Sequence, residues 1–394
     1  MDMEELLFEN IEKNKEEMFN ASDFIFDNPE SDCKEVKAMG ALVNILEKSG
    51  FIVEKGVGGL KTAFRAVYEN SSNGPSIGLL CEYDALEGIG HACGHHMQGP
   101  AAIYAAISLK ENYKEKPFKI VVYGTPAEES TGGKIIMMEN GCFKDIEVAL
   151  MFHGGPATTT DIKSMALSHF KVKFIGKSSH AAMQPEKGRS AFDAMLLSFN
   201  AIEFLREHVI EDTRMHYTVT NAGGPDNIVP GEACGTYTLR SYNRAYLDYV
   251  VERFKDIIKG AALMTGTTYE VKEDRSFDSK IPVLKLNELL MNNARMLNAP
   301  NITPPREKTG STDFGNVMYN IPGSCIRVAF VPENTSAHSQ EYLDSGKSEK
   351  AHEATLLASK ILAKTCYDII NDENVLREIK EEFEETKRKM YSKQ

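Results

Sequence analysis

No run of apolar residues in this 394-residue chain approaches the roughly 20 that a membrane-spanning helix needs. Positive charge is also scarce. Lys and Arg number 45 against 57 Asp and Glu, a formal net charge of -12. Nucleic acid and anionic membrane surfaces both need a basic face, so the sequence predicts neither as a partner. A disulfide framework is missing too, because the seven cysteines are odd in number and scattered. The stretch MDMEELLFENIEKNKEEMF has neither the basic n-region nor the apolar h-region of a secretory signal. Together these features predict a reduced, cytoplasmic setting.

What is present is an ordinary globular composition, 42% apolar, on a chain long enough to predict two domains. The stretch from Cys81 to Gly99, CEYDALEGIGHACGHHMQG, carries Cys93 with His91, His95 and His96 between an apolar run ending at Leu80 and an Ala-rich run from Ala101. A thiol and imidazoles this dense at a strand-to-helix junction point to a transition-metal site.

In chain order, residues 3–50 carry apolar residues at helical spacing, with Val36, Met39, Leu42, Val43 and Leu46 forming a stripe that ends at Gly50. FIVEKGVGGLKTAFRAVYE reads as strands around a Gly-rich turn and lacks the spacing of a phosphate loop. SIGLLCEYDA, KIVVYG and EVALMFHG then read as strands buried on both faces, alternating with helices at 99–113 and 132–140. That is the pattern of a parallel sheet flanked by helices, in which ligands collect beyond the carboxyl ends of the strands.

Polar clusters fall at those ends. The first holds Asp84, Cys93 and His95, the second the adjacent carboxylates Glu128 and Glu129 in TPAEESTGG, and the third His153, where Gly154, Gly155 and Pro156 are expected to stop the strand. A thiolate, imidazoles and a carboxylate in one crevice suit zinc or manganese. If Glu129 binds metal, Glu128 is left to move a proton, and amide hydrolysis is the natural reaction. Asp84 is expected to orient a ligand histidine.

From Ser164 to Val271 the rhythm becomes strand, helix, two strands, helix, strand, the ferredoxin-like order. The α/β pattern resumes afterwards, so the domains are expected at 1–163, 164–275 and 276–394, the middle one inserted. Its notable residues are His180 in GKSSHAAMQPEKG, Asn227 in GGPDNIVPG and Arg240 in TLRS. Later come a polar loop, KTGSTDFGN (308–316), a strand GSCIRVAF, His338 just beyond it, a helix at 347–371 and an amphipathic tail with Leu376, Ile379 and Phe383.

The ordered set HACGHH, PAEES, FHGGP, GKSSHAAMQPEKG, NIVPG, TLRS, GSTDFGN and AHSQEY resembles the metal-dependent amidohydrolase and peptidase family of aminoacylase, carboxypeptidase G and aminobenzoyl-glutamate hydrolase, over nearly the whole chain. CEYDALEGIGHACGH, GVGGLKTAFRA and KAHEAT look closest to the aminobenzoyl-glutamate hydrolase and dipeptidase branch. The resemblance implies a zinc-peptidase-like α/β catalytic domain with a mixed, largely parallel sheet, interrupted by an α+β ferredoxin-like domain through which a homodimer forms.

It further implies that Cys93, His95, Glu129, His153 and His338 hold two divalent ions, zinc or manganese, bridged by a carboxylate and a water. Glu128 falls on the catalytic glutamate. His180 falls on a histidine that stabilises the oxyanion in the partner subunit's site, and Asn227 and Arg240 fall on residues that bind polar groups of the substrate. The implied reaction is attack of metal-bound hydroxide on the amide of a small N-acyl amino acid, an aminobenzoyl-glutamate-like compound or a dipeptide. His96 stands where many relatives carry Asp or Asn.

Other readings stay open at this point. Cys93 and His95 also suit a buried thiol and a histidine at a helix start, and Glu128 and Glu129 an exposed acidic turn. His153, His338 and His180 suit strand ends and turns, Asn227 suits a turn, and Arg240 suits any sheet surface. His91 and His96 read as structural, and His169, His208, His216 and His352 as surface or packing residues. At the level of function, the alternatives are an inactive small-molecule-binding subunit of a hetero-oligomeric hydrolase, and a hydrolase with Cys93 as covalent nucleophile.

Overall fold

The computed structural model describes residues 2–392. Twelve strands are present among them: β1 (Ile52–Lys55), β2 (Phe64–Glu69), β3 (Ser76–Cys81), β4 (Lys119–Gly124), β5 (Val148–Gly155), β6 (Thr159–Ser164), β7 (Ala166–Ile175), β8 (Arg214–Asn221), β9 (Glu232–Ser241), β10 (Thr268–Phe277), β11 (Arg306–Thr309) and β12 (Gly323–Ala329). The chain divides into two compact units. One comprises the residues up to Lys163 together with Lys280–Lys387, and the other Ser164–Ser279 together with the residues from Arg388 onward.

The first unit is built on an eight-stranded sheet in the order β1-β2-β4-β3-β5-β12-β6-β11. Its centre is parallel, β4 with β3, β3 with β5 and β5 with β12. The flanking pairs β1–β2, β2–β4 and β12–β6 are antiparallel. The central strands are largely apolar because both faces are covered, the expected signature of parallel strands. Leu80, Val121, Tyr123, Ala149, Met151 and Cys325 pack with Met137, Phe143, Phe314, Val317 and Met318. Helix Gln98–Asn112 packs against β3, β5 and helix Glu349–Asn371, and the stretch from Gln98 to Leu109 is buried all round. A helix with no polar face must be enclosed, and this one is.

Two local expectations need correction. β5 does not stop at once after His153 but runs to Gly155, because β12 pairs alongside it through Ala329↔Gly155. The expected loop 308–316 is partly ordered: Lys308 and Thr309 belong to β11, Phe314 opens the helix Phe314–Asn320, and only Gly310–Asp313 lie between. β6 and β11 carry charged, non-alternating sequences, TTDIKS and REKT, and hold their place by lying at the sheet margin. The second compact unit runs from Ser164 to Ser279, and its β10 continues to Phe277 in register with Leu167.

The second unit has the order β10-β7-β9-β8, antiparallel throughout, with helices Ala191–Arg206 and Arg244–Thr265. That is the ferredoxin-like arrangement that the element order predicts. Phe170, Val172, Phe174, Met195, Tyr237, Leu239, Leu247 and Phe254 lie in its core. Both helices start on side-chain caps, Ser190 accepting from Asp193 N and Asn243 from Tyr246 N.

Candidate functional site

The carboxyl ends of β3, β4, β5 and β12 open into one cavity of about 590 Å³, within the size range of small-ligand sites. It is lined by Glu82, Cys93, His95, Glu128, Glu129, His153 and His338, with Asp161, Lys280, Arg306, Lys308 and Arg327 among the other lining residues. All of these lie in the first unit.

The donors reach the cavity from separate loops. After β3, Gly94 adopts φ +81 between Cys93 and His95, a left-handed conformation that glycine takes without strain. The turn leads into a short 3-10 segment carrying His95 and His96. After β4, Ala127 holds φ +59 immediately before Glu128, and its carbonyl accepts from Gly132 N at 2.8 Å. A non-glycine residue in this region is strained, and such strain clusters at functional sites. His338, with φ +68, is tied down by its own N–H, which donates to Ala92 O at 2.9 Å. Tyr342 donates its hydroxyl to Gly154 O at 3.1 Å and to Cys93 O at 3.4 Å, joining the β5 end to the cysteine loop.

Four groups of donors emerge, two through Glu128 (His95, Glu128 and Glu129; Glu82, Glu128 and Asp313) and two through Cys93. Ligand atoms of Cys93, His95 and His153 lie within 4.8 Å of one another, and so do those of Cys93, Glu129 and His338. Cys93 is common to both. Its Sγ is 3.6 Å from His153 Nε2, and His338 Nε2 is 3.2 Å from Glu129 Oε1. His153 Nδ1 lies 2.7 Å from Gly154 O, which turns Nε2 toward the thiol. His95 Nδ1 lies 3.1 Å from Asp84 Oδ1, while Asp84 Oδ2 accepts from Glu129 N at 2.9 Å. One carboxylate thus orients two candidate ligands, the arrangement found behind metal-bound histidines.

Burial and mutual charge shift the titration of the cluster's groups. Burial pushes the Cys93 thiol up to about 12, against the pull of His95. Burial, then Arg327 and His95, push His153 down to about 3. At His95 burial opposes the charged ring, but Cys93, Glu82 and Asp84 outweigh it and raise its pKa well above the ordinary value. Glu128 rises to about 8 through burial and the neighbouring Glu82 and Asp313 carboxylates, only partly offset by Lys134 and His95. Divalent cations reverse this logic, deprotonating a coordinating thiol and keeping imidazoles neutral. Cys93 belongs to two of the donor groups, the placement of a ligand rather than of a free nucleophile.

Beneath Glu128 lies a network that motif reading passes over. Lys134, fully buried, donates to Glu82 Oε1 at 2.5 Å and to Asp313 Oδ1 at 2.7 Å. Asp313 Oδ2 accepts from Lys134 N at 3.0 Å, and Glu82 also accepts from Gln98 Nε2 at 2.7 Å. Burial opposes the Glu82 carboxylate, yet Lys134, His95 and His153 hold its pKa well below the usual range.

His91 and His96 do not line the cavity. Both are buried beside Phe26; His96 Nε2 lies 2.8 Å from Gly346 O, and burial pushes its pKa down to about 4.

The remaining three expected site residues lie in the second unit. His180 and Asn227 occupy facing loops, with Ala181 N donating to Asn227 O at 3.0 Å and a bridge pairing His180 with Ile228. Both side chains are exposed, and His180 Nδ1 accepts from Ala182 N and Met183 N at 3.3 Å. Arg240 does not join them. It lies near the far end of β9, eight residues beyond Glu232, about 27 Å along the strand.

Residues 75–363 match the family described as Peptidase family M20/M25/M40. The Xaa-Arg dipeptidase of Homo sapiens is 35% identical over 342 residues, covering 82% of this chain and 78% of the relative. One of the p-aminobenzoyl-glutamate hydrolase subunits of Escherichia coli (strain K12) is 29% identical, covering 95% of this chain and 93% of the relative. Among solved structures, a dinuclear metal binding peptidase of the M20 family from Bacillus subtilis superposes with a TM-score of 0.70 at 18% identity, covering 91% of this chain and 99% of that one. The fold, the ordered motifs and these likenesses agree that the chain belongs to the M20/M25/M40 peptidase family and is a hydrolase of amide bonds.

Proposed function

We propose that this chain is a metal-dependent amidohydrolase acting on a small N-acyl amino acid, an aminobenzoyl-glutamate-like compound or a dipeptide. The observation that carries the reading is the convergence of Cys93, His95, His153, Glu129 and His338 as two overlapping donor groups, each with its atoms within 4.8 Å. Thiol, imidazole and carboxylate together fit two divalent ions, and the thiol favours zinc over manganese. Bound there, such ions polarise a carbonyl and acidify water.

The chain's own residues supply the rest. Glu128 stands beside the donors, where its carboxylate can take a proton and return it to the leaving amine. Asp84 keeps His95 and Glu129 aligned. His180, Asn227 and Arg240 are assigned to substrate and transition-state binding by their motifs, His180 in a partner subunit's site.

A homodimer through the second unit is part of the reading. Its helices expose Leu196, Phe204, Tyr249, Leu263 and Met264, and β8 and β10 are open edges. Large exposed apolar side chains and free strand edges are the usual substrate of association. No helix among the described residues is long and apolar enough to cross a membrane, and a cytoplasmic location is proposed on the scattered cysteines, which form no disulfide.

The test is Glu128→Gln on protein loaded with zinc or manganese, assayed on dipeptides and acyl amino acids with metal analysis alongside. Metal content stays at two ions per chain and turnover falls by about 10²–10⁴. Undiminished turnover would overturn the role of Glu128.

A further inference from the structure

The two adjacent glutamates of the cleft are held very differently. Glu129 is tied twice, by its N–H to Asp84 Oδ2 at 2.9 Å and by Oε1, 3.2 Å from His338 Nε2. The Glu128 carboxylate, partly buried, makes no hydrogen bond or ion pair among the described residues. A carboxylate removed from water without a partner is costly unless a cation stands close.

That cation is Lys134. Oxygens of Glu82, Glu128 and Asp313 lie within 4.8 Å of one another, and the Lys134 ammonium donates to two of the three, Glu82 Oε1 at 2.5 Å and Asp313 Oδ1 at 2.7 Å. An ammonium carries three N–H donors. The third has no acceptor among the described residues, and Glu128 is the member of the trio with no donor. Attraction between a buried ammonium and a carboxylate acts through space, without a hydrogen bond, and the Lys134 charge favours the ionised Glu128.

The surroundings make Lys134 a firm support. It is the second residue of the helix Gly133–Glu139. The loop that joins it to Glu128 is closed on itself: Gly132 N donates to Ala127 O at 2.8 Å, and a Cβ on Gly133 would lie 2.0 Å from Pro126 O, so only glycine fits. Asp313 clamps Lys134 at both ends, Oδ2 accepting from its backbone N–H at 3.0 Å and Oδ1 from its ammonium. Glu82 is fixed in turn by Gln98, which donates to its carboxylate at 2.7 Å and accepts from its N–H at 3.0 Å. The side chains of Lys134, Glu82 and Asp313 are at most 2% exposed, so solvent hardly screens the pairing. Lys134 itself does not line the cavity.

We propose that Lys134 is a positioning residue for Glu128: clamped by Glu82 and Asp313, its ammonium fixes where the Glu128 carboxylate stands, and it supports turnover through Glu128 without touching substrate. The proposal rests on the amidohydrolase reading and adds a residue to its machinery. A misplacement of about 1 Å in a reacting group costs about 10²-fold in rate, so the effect belongs in kcat.

The experiment is a double-mutant cycle on the full-length, zinc-loaded chain, with kcat, KM and metal content measured on the dipeptide or acyl amino acid that the natural chain hydrolyses best. The cycle comprises the natural sequence, Lys134→Met, Glu128→Gln and the two together, with Lys134→Arg alongside. Because Lys134→Met leaves two buried carboxylates unpaired, the cycle is repeated with Glu82→Gln and Asp313→Asn added to it, so that the charges are absent together. Lys134→Met, bare or compensated, lowers kcat by about 10–10²-fold with KM within about threefold and metal content unchanged, and Lys134→Arg retains part of the activity. In the Glu128→Gln background the same change lowers kcat by less than about threefold, because the group it positions is already gone. Equal losses in both backgrounds, the mark of a merely structural lysine, or full turnover in the compensated variant would overturn the proposal while leaving the amidohydrolase reading intact.

If the natural chain turns over no amide, that reading fails instead, and crystal structures of the natural chain, Lys134→Met and its compensated form still decide the position of Glu128. A carboxylate displaced by about 1 Å or more in the variants supports the role of Lys134, and an unmoved one refutes it.

Discussion

Cys93 Sγ stands 3.6 Å from His153 Nε2, two side chains sixty positions apart that β5 and the loop after β3 bring to the same end of the sheet. Burial pushes the thiol up to about 12 and the ring down to about 3. A cation shared by the two would reverse the first shift, stabilising the thiolate, and keep the imidazole neutral. Cys93→Ala, which removes the donor common to two of the groups, is expected to lower metal content below one ion per chain and to abolish turnover, with the fold retained by circular dichroism. Full metal content in the variant would show that the thiol is not a ligand.

The buried Lys134 should matter for stability as well as for the donors, since its partner Glu82 also lies 3.1 Å from His95 Nε2. It neutralises Glu82 and Asp313, all three with side chains at most 2% exposed. Replacing it by Met leaves two buried carboxylates facing each other across an apolar stem, a change that typically costs about 3–5 kcal/mol. Urea denaturation measures the loss. Lys134→Met together with Glu82→Gln and Asp313→Asn should recover much of it, because the paired charges are then absent together.

Asp161 gives the chain an acid-sensitive element outside the donor cluster. Burial opposes its ionisation, but Lys280, Arg327 and Arg306 hold its pKa well below the usual carboxylate range. The unfolded chain, with an ordinary Asp near 3.9, therefore binds the proton more readily than the folded one. Its stabilisation is present in full above the unfolded value and is lost as pH falls through the lower folded value. Asp161→Asn should be less stable at pH 7 and show a flatter decline of stability below about pH 4 than the natural chain. Parallel curves for the two proteins would exclude Asp161 as the origin.

Much of this is legible in the sequence because the decisive residues sit in short contiguous motifs at predictable places. SIGLL, KIVVYG and EVALM announce buried parallel strands, and Cys93, His95, Glu128 and Glu129 follow the first two within a dozen or so residues. The ferredoxin-like order of the second unit is readable from alternation and turn spacing alone.

What escapes is whatever depends on long-range pairing. Lys134 looks like one more charge in TGGKIIMM until Asp313, 179 positions away, is seen to receive it. Arg327 interrupts an apolar strand without any local sign that Asp161 lies across from it. REKT has no alternation to mark it as β11. Gly154 and Gly155 would ordinarily end a strand at His153, but β12 continues the ladder past both. Arg240 shares a polar character with Asn227, and only the strand between them reveals their separation.

The most direct measurement of the central claim is anomalous diffraction at the zinc edge from a crystal of the full chain grown or soaked with zinc. Two anomalous peaks per chain are expected in the cleft of Cys93, His95, Glu129, His153 and His338, at about 2.0–2.3 Å from the donor atoms. A zinc-bearing crystal with no density in that cleft, or with its ions held by other residues, would contradict the assignment.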